Sequence, residues 1–154
     1  YEGYIKTLRD PVAIGVIRAK ELQGDILVEF PPNIALEIID KTLGGNLLTE
    51  KIAEYLWYDF CDNYNMDELP FEKEDAMLYS EEEYGLAKSK YNWNRSEFIT
   101  IAEEIKLQFS GEEQFVEETA SVYDMQGNLI NVTLSMTYDV FKKIIKKVIN
   151  KLAF

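Results

Sequence analysis

The stretch from Gly24 to Gly45 constrains this chain more than any other. Ile26, Val28 and Phe30 alternate with Asp25, Leu27 and Glu29, the period-two pattern of a strand with one dominant buried face. Pro31 and Pro32 end that ladder because neither donates a backbone hydrogen bond. Asn33 is a candidate N-cap, and Ile34, Leu36, Ile38, Ile39 and Leu43 follow at helical spacing. Gly44 or Gly45 then suits the left-handed residue that closes a helix. The plainest reading of the pair is this cap. The same geometry also brings a flexible Gly44–Gly45 loop to the surface, where it suits contact with a partner.

The remaining segments follow by the same rules. Residues 2–8 read as a short helix, and Ala13–Arg18 as a strand. Leu47–Tyr64 reads as a helix with Thr49 as its cap, its apolar positions being Ile52, Tyr55, Leu56, Phe60 and Tyr64. Trp57, Tyr58 and Cys61 widen that face. Residues 65–97 are aromatic and acidic and read as short helices and loops. Phe98–Phe109 reads as a strand, because Ile99, Ile101, Ile105, Leu107 and Phe109 mostly alternate with polar residues. Phe115–Tyr123 and Leu129–Met136 read as strands around a turn at Gln126–Gly127–Asn128. A closing helix follows over Tyr138–Leu152, capped by Thr137. Its lysines, Lys142, Lys143, Lys146, Lys147 and Lys151, lie opposite Phe141, Ile144, Ile145, Val148 and Leu152.

Two halves of the form strand, turn, strand, helix emerge. Side by side they predict an α/β (α+β) fold, with helices packed on one mostly antiparallel sheet. At 154 residues the chain suits a single domain spanning 1–154. It opens at Tyr1, which reads as a piece trimmed from a longer protein, and no secretory signal is legible there. No apolar run is long enough to insert directly into a membrane.

Charge and composition exclude several kinds of chemistry. With 28 acidic against 16 basic residues, the formal charge is −12. That argues against a nucleic-acid partner, which calls for clustered Lys and Arg. The acidic balance favours a basic partner surface or, more plainly, a solvated exterior. The chain has no histidine, so neither a Ser-His-Asp nor a Cys-His arrangement can be built, nor a zinc site of the usual kind. No phosphate-binding or dinucleotide-binding glycine motif is present, and no catalytic residue, cofactor or metal site is assigned. The lone Cys61 reads as a buried structural thiol. The run Glu81–Glu82–Glu83 lacks the spacing of a calcium loop and reads as a solvated face.

A family resemblance runs through the first third. Tyr1–Pro11 resembles the "TYEEFIRSLP-P" segment of the flagellar motor switch protein FliM family. Leu22–Val28 resembles its "LEG-A-L" strand. Pro32–Gly45 looks like its "P-L-F-IID-LLGG" helix and loop. The likeness is to the family's middle domain, which shares a CheC-like pseudo-twofold fold with the CheC and CheX phosphatases. It is clearest over residues 1–45, and strand-then-helix near residues 128–148 is consistent with it.

The resemblance implies a noncatalytic module of the cytoplasmic switch ring (the C-ring), at the cytoplasmic face of the flagellar basal body. It implies side-by-side packing with neighbouring FliM copies. It also implies contact with FliG through a Gly-Gly-x-Gly loop, carried here by Gly44, Gly45 and Asn46, with Leu43 as the apolar anchor. Leu47 stands where the family has its last glycine. Phosphorylated CheY is a further partner that the resemblance leaves open. The Glu-x-x-Asn pair of the phosphatases is absent, which argues against the alternative of a CheC/CheX-like phosphatase. A free-standing acidic binding or inhibitor protein is the remaining alternative.

Overall fold

A computed structural model of the chain describes residues 45–152. The expected strands at 13–18 and 26–30, the helix at 34–43, and the short helix at 2–8 lie outside the described residues, as does half of the proposed repeat. Within them the order is α1 (Gly45–Asn63), α2 (Lys73–Met77), α3 (Glu81–Tyr84), α4 (Lys88–Phe109), β1 (Phe115–Tyr123), β2 (Leu129–Thr137) and α5 (Tyr138–Leu152). The mixed helix-and-strand architecture expected of an α/β fold is observed, and β1 pairs antiparallel with β2.

The largest departure from expectation is α4, which includes the segment read as a strand over Phe98–Phe109. The apparent alternation misleads because only some of its members face the core. Tyr91, Asn94, Phe98, Ile101, Ala102, Ile105 and Phe109 are buried at three- and four-residue steps, whereas Leu107 is 59% exposed. That is a helical stripe. Glu103 and Glu104 interrupt a period of two but fall naturally on a helix surface.

Helix α1 also begins earlier than the expected Leu47, at Gly45, and Thr49 lies within it rather than capping it. The buried stripe Leu48, Ile52, Leu56, Phe60 starts a full turn sooner, and the burial of Leu48 extends the helix backwards. Its end is set by Asn65, whose φ of 52° is left-handed. The Met66 amide then reaches back to the Cys61 carbonyl at 3.1 Å, the long bond of a Schellman turn.

The buried centre lies where α1 crosses α4. Trp57 is fully buried, with its ring against Phe60, Phe71, Tyr91 and Phe98 at centroid distances of 5.1–6.4 Å. Tyr91 stacks on Tyr79 at 3.8 Å, and Tyr79 stacks on Tyr84 at 5.3 Å. These rings bring α2, α3 and their loops onto the same core.

The segment after α1 has no ladder to satisfy its carbonyls. Side chains do so in order. Trp57 Nε1 donates to the Leu69 carbonyl at 2.8 Å, the Tyr91 hydroxyl to the Pro70 carbonyl, and Arg95 Nε to the Phe71 carbonyl at 2.8 Å. The Arg95 guanidinium also lies over the Phe71 ring, 4.8 Å from its centroid.

The hairpin lies against the other side of α4. Val116, Ala120 and Val122 of β1 and Val132, Leu134 and Met136 of β2 form its buried face. The expected turn is present: Gly127 has φ 79°, and Asp124 Oδ1 accepts from the amides of Gln126 and Asn128 at 3.0 and 2.8 Å. Asn94 of α4 is fully buried, yet both ends of its amide are used. Its Nδ2 donates to the Tyr123 carbonyl at 2.9 Å, and its Oδ1 accepts from the Tyr123 amide at 2.7 Å. Trp93 Nε1 donates to the Ser121 carbonyl at 3.0 Å. Side chains of α4 thus occupy the outer edge of β1 at Ser121–Tyr123, where a further strand would otherwise pair.

Helix α5 closes the fold as expected. Thr137 caps it, its hydroxyl accepting from the Val140 amide at 3.2 Å. Phe141, Ile145 and Val148 are buried, Phe141 stacks on Phe109 at 4.6 Å, and Lys143, Lys146 and Lys147 face outward.

Two outcomes follow from this core. Trp57→Ala should destabilise the chain by about 3–5 kcal/mol, the usual cost of emptying a buried aromatic site. Trp57→Phe should cost about 1–3 kcal/mol, mainly by stranding the Leu69 carbonyl. Urea midpoints test the order, and Trp57→Phe proving the worse would refute the weight given to ring packing.

The second outcome concerns alkali. Burial pushes the Cys61 thiol up from 9.0 to about 11 and the Tyr91 hydroxyl from 10.0 to about 12. Both groups are held neutral in the fold. Their contribution is complete below pH 9 and lost as the pH rises through 9–11 for Cys61 and 10–12 for Tyr91. The urea midpoint should therefore fall over that range, and less steeply between pH 9 and 11 in Cys61→Ala. Parallel profiles for the two proteins would contradict this assignment for Cys61.

Candidate partner-binding surface

Of the residues expected at a partner contact, Leu43 and Gly44 lie outside the described residues. Gly45 is the first residue of α1, and Asn46 is exposed beside it. Both therefore sit in a helical first turn. The amides of that turn have no acceptor within the helix, and the positive end of the helix dipole lies there. No acidic residue of the first turn offsets it.

The start of α1 is held firmly from below. Leu47 packs against the core, and Leu48 and Thr49 are buried. Thr49, expected as a cap, instead donates through its hydroxyl to Glu103 Oε2 of α4 at 2.6 Å. Lys106 Nζ lies 3.3 Å from the same carboxylate oxygen. This partly buried link fixes the direction of the first turn of α1. Leu47 adds to the link by packing against the core.

Further along α1, two tyrosines expected to be part of its apolar spacing turn outward. Tyr55 is 41% and Tyr58 is 44% exposed, while Leu56 and Trp57 between them are buried. Both tyrosines line a groove of about 510 Å³ between α1 and α5, together with Lys51, Glu54, Asp59, Asp62, Glu72, Ile144, Lys147 and Val148. Lys51 Nζ stands 3.2 Å from Glu54 and 4.0 Å from Glu72. The Tyr58 hydroxyl is pushed up in pKa, first by desolvation and then by the carboxylates of Glu54, Glu72 and Asp75. Sequence periodicity missed this groove because an aromatic at helical spacing reads as core. The acids beside the two tyrosines were the available signal.

Cys61 is buried with its thiol raised to about 11, which leaves almost no thiolate near neutral pH. Among the described residues, no group of three or more His, Cys, Asp or Glu side chains is placed to hold a metal ion. Glu81, Glu82 and Glu83 lie exposed along α3, as a solvated face should. Among the described residues, no helix is long and apolar enough to cross a membrane.

Comparison with known families gives a match over the N-terminal part of the chain. Residues 1–58 match the family model of flagellar motor switch protein FliM. No curated protein and no solved structure matches the chain. The matched stretch runs through Leu43–Asn46 and into α1 as far as Tyr58. The resemblance read from the first third of the sequence thus falls within a family match over residues 1–58, and that stretch is FliM-like.

Proposed function

We propose that this chain is a noncatalytic assembly module of the flagellar motor switch. The observation that carries the proposal is the FliM family match over residues 1–58, which supports a motor switch component. In this reading residues 1–154 form one domain like the family's middle domain. It sits at the cytoplasmic face of the basal body, binds FliG and packs against neighbouring copies.

The FliG contact is assigned to Leu43, Gly44, Gly45 and Asn46. Gly45 and Asn46 stand at the amide-rich, positive end of a 19-residue helix. Thr49, Glu103 and Lys106 hold that end in place, so it meets a partner with little reordering. Small residues there let a partner's backbone approach closely.

Calorimetric titration with FliG tests the assignment. Gly44→Ala and Gly45→Ala, each with an unchanged circular dichroism spectrum, should weaken binding by roughly tenfold or more, the scale of a central interface position. Unchanged affinity in both folded variants would remove the contact from this end of α1.

A further inference from the structure

We propose that the groove between α1 and α5 is a docking site for a basic amphipathic segment of a partner protein. The inference does not depend on the FliG contact. Its residues Asp59, Asp62, Glu72, Ile144, Lys147 and Val148 lie beyond the stretch matched to FliM.

The chemistry of the walls identifies the occupant. Carboxylates of Glu54, Asp59, Asp62 and Glu72 face the groove, against the cations Lys51 and Lys147. Lys51 is already engaged by Glu54 and Glu72. Among the described residues, no ion pair engages Asp59 or Asp62. These two stand three apart on one helix face, where like charges repel. A cation set between them relieves that repulsion.

The apolar surfaces of Tyr55, Tyr58, Ile144 and Val148 supply the other half of the site. Half-exposed tyrosine rings beside carboxylates suit a guanidinium, which stacks on the ring and pairs with the acid. An open trough between two helices accepts a third helix laid along it, with apolar residues down and basic residues towards α1. The chain's net charge of −12 speeds the approach of such a segment and repels an anionic membrane.

The test uses a fluorescein-labelled peptide of arginine and leucine, about four helical turns long, with its charges on one face. Anisotropy is followed as the 154-residue chain is added. Binding is expected, and Asp59→Lys with Asp62→Lys should weaken it by about tenfold or more. Glu81→Lys with Glu82→Lys changes the net charge equally on exposed α3 and should weaken it by less than about threefold. Tyr58→Ala should weaken binding without altering the circular dichroism spectrum.

Equal weakening by the two charge-reversed pairs would reduce the effect to bulk charge and overturn the proposal. So would a peptide that does not bind. A dimer in sedimentation that Asp59→Lys with Asp62→Lys dissociates would assign the groove to a second copy, and would overturn it too.

Discussion

The described fold depends on how Trp57 is used. Its ring fills the crossing of α1 and α4, and its Nε1 fixes the Leu69 carbonyl. Tyr91 and Arg95, from the facing helix, take the next two carbonyls, those of Pro70 and Phe71. One irregular segment is therefore tied in sequence to both helices. Each of these donors also belongs to the aromatic cluster, as a ring within it or, for Arg95, as a cation over Phe71. Packing and polar satisfaction are achieved by the same side chains, so the cluster cannot be loosened without stranding a backbone acceptor.

Helix α4 plays the corresponding part towards the hairpin. Its buried Asn94 resembles one more strand residue, pairing with both backbone groups of Tyr123. Lys90 extends the seam by donating to the Gly127 carbonyl at 2.9 Å, with its ammonium 5.2 Å from the Tyr123 ring centroid. A buried amide is costly unless both its donor and its acceptor ends are hydrogen-bonded. Here two specific bonds compensate for its burial, and they set the register between helix and hairpin in a way that apolar contact alone would not.

These features explain what the sequence revealed and what it concealed. The hairpin, its glycine turn and the capped helix α5 were legible because each rests on local chemistry: alternation, Gly127 and Thr137. Helix α4 was concealed because Ile99, Ile101, Ile105 and Leu107 mimic a period of two. Only tertiary packing discloses that Leu107 faces out and that Tyr91, Asn94 and Phe98 belong to the same stripe. Thr49 was misplaced for a related reason. A threonine ahead of an apolar run has the appearance of a cap, but Leu48 and the distant Glu103 draw it inside the helix. At the start of α1, the proposed contact through Gly45 and Asn46 rests on the family likeness and not on local chemistry. The groove was not legible, since Tyr55 and Tyr58 at helical spacing read as core, and only the neighbouring acids Glu54 and Asp59 hinted that they face outward.

The two proposed surfaces lie on one helix, and its rigidity limits what each does to the other. Gly45 and Tyr58 are about 20 Å apart at the usual helical rise. Between them α1 is buried along Leu48, Ile52, Ala53, Leu56 and Trp57, with no glycine or proline at which to bend. Such a rod fixes the relative orientation of two partners. It does not by itself change the affinity of one when the other binds, since that takes an element with two arrangements that both ligands distinguish. Occupation of the groove and of the helix start should therefore combine additively in free energy. Coupling between partners bound at the two ends would then be geometric: a partner that tilts α1 at one end carries the other end with it.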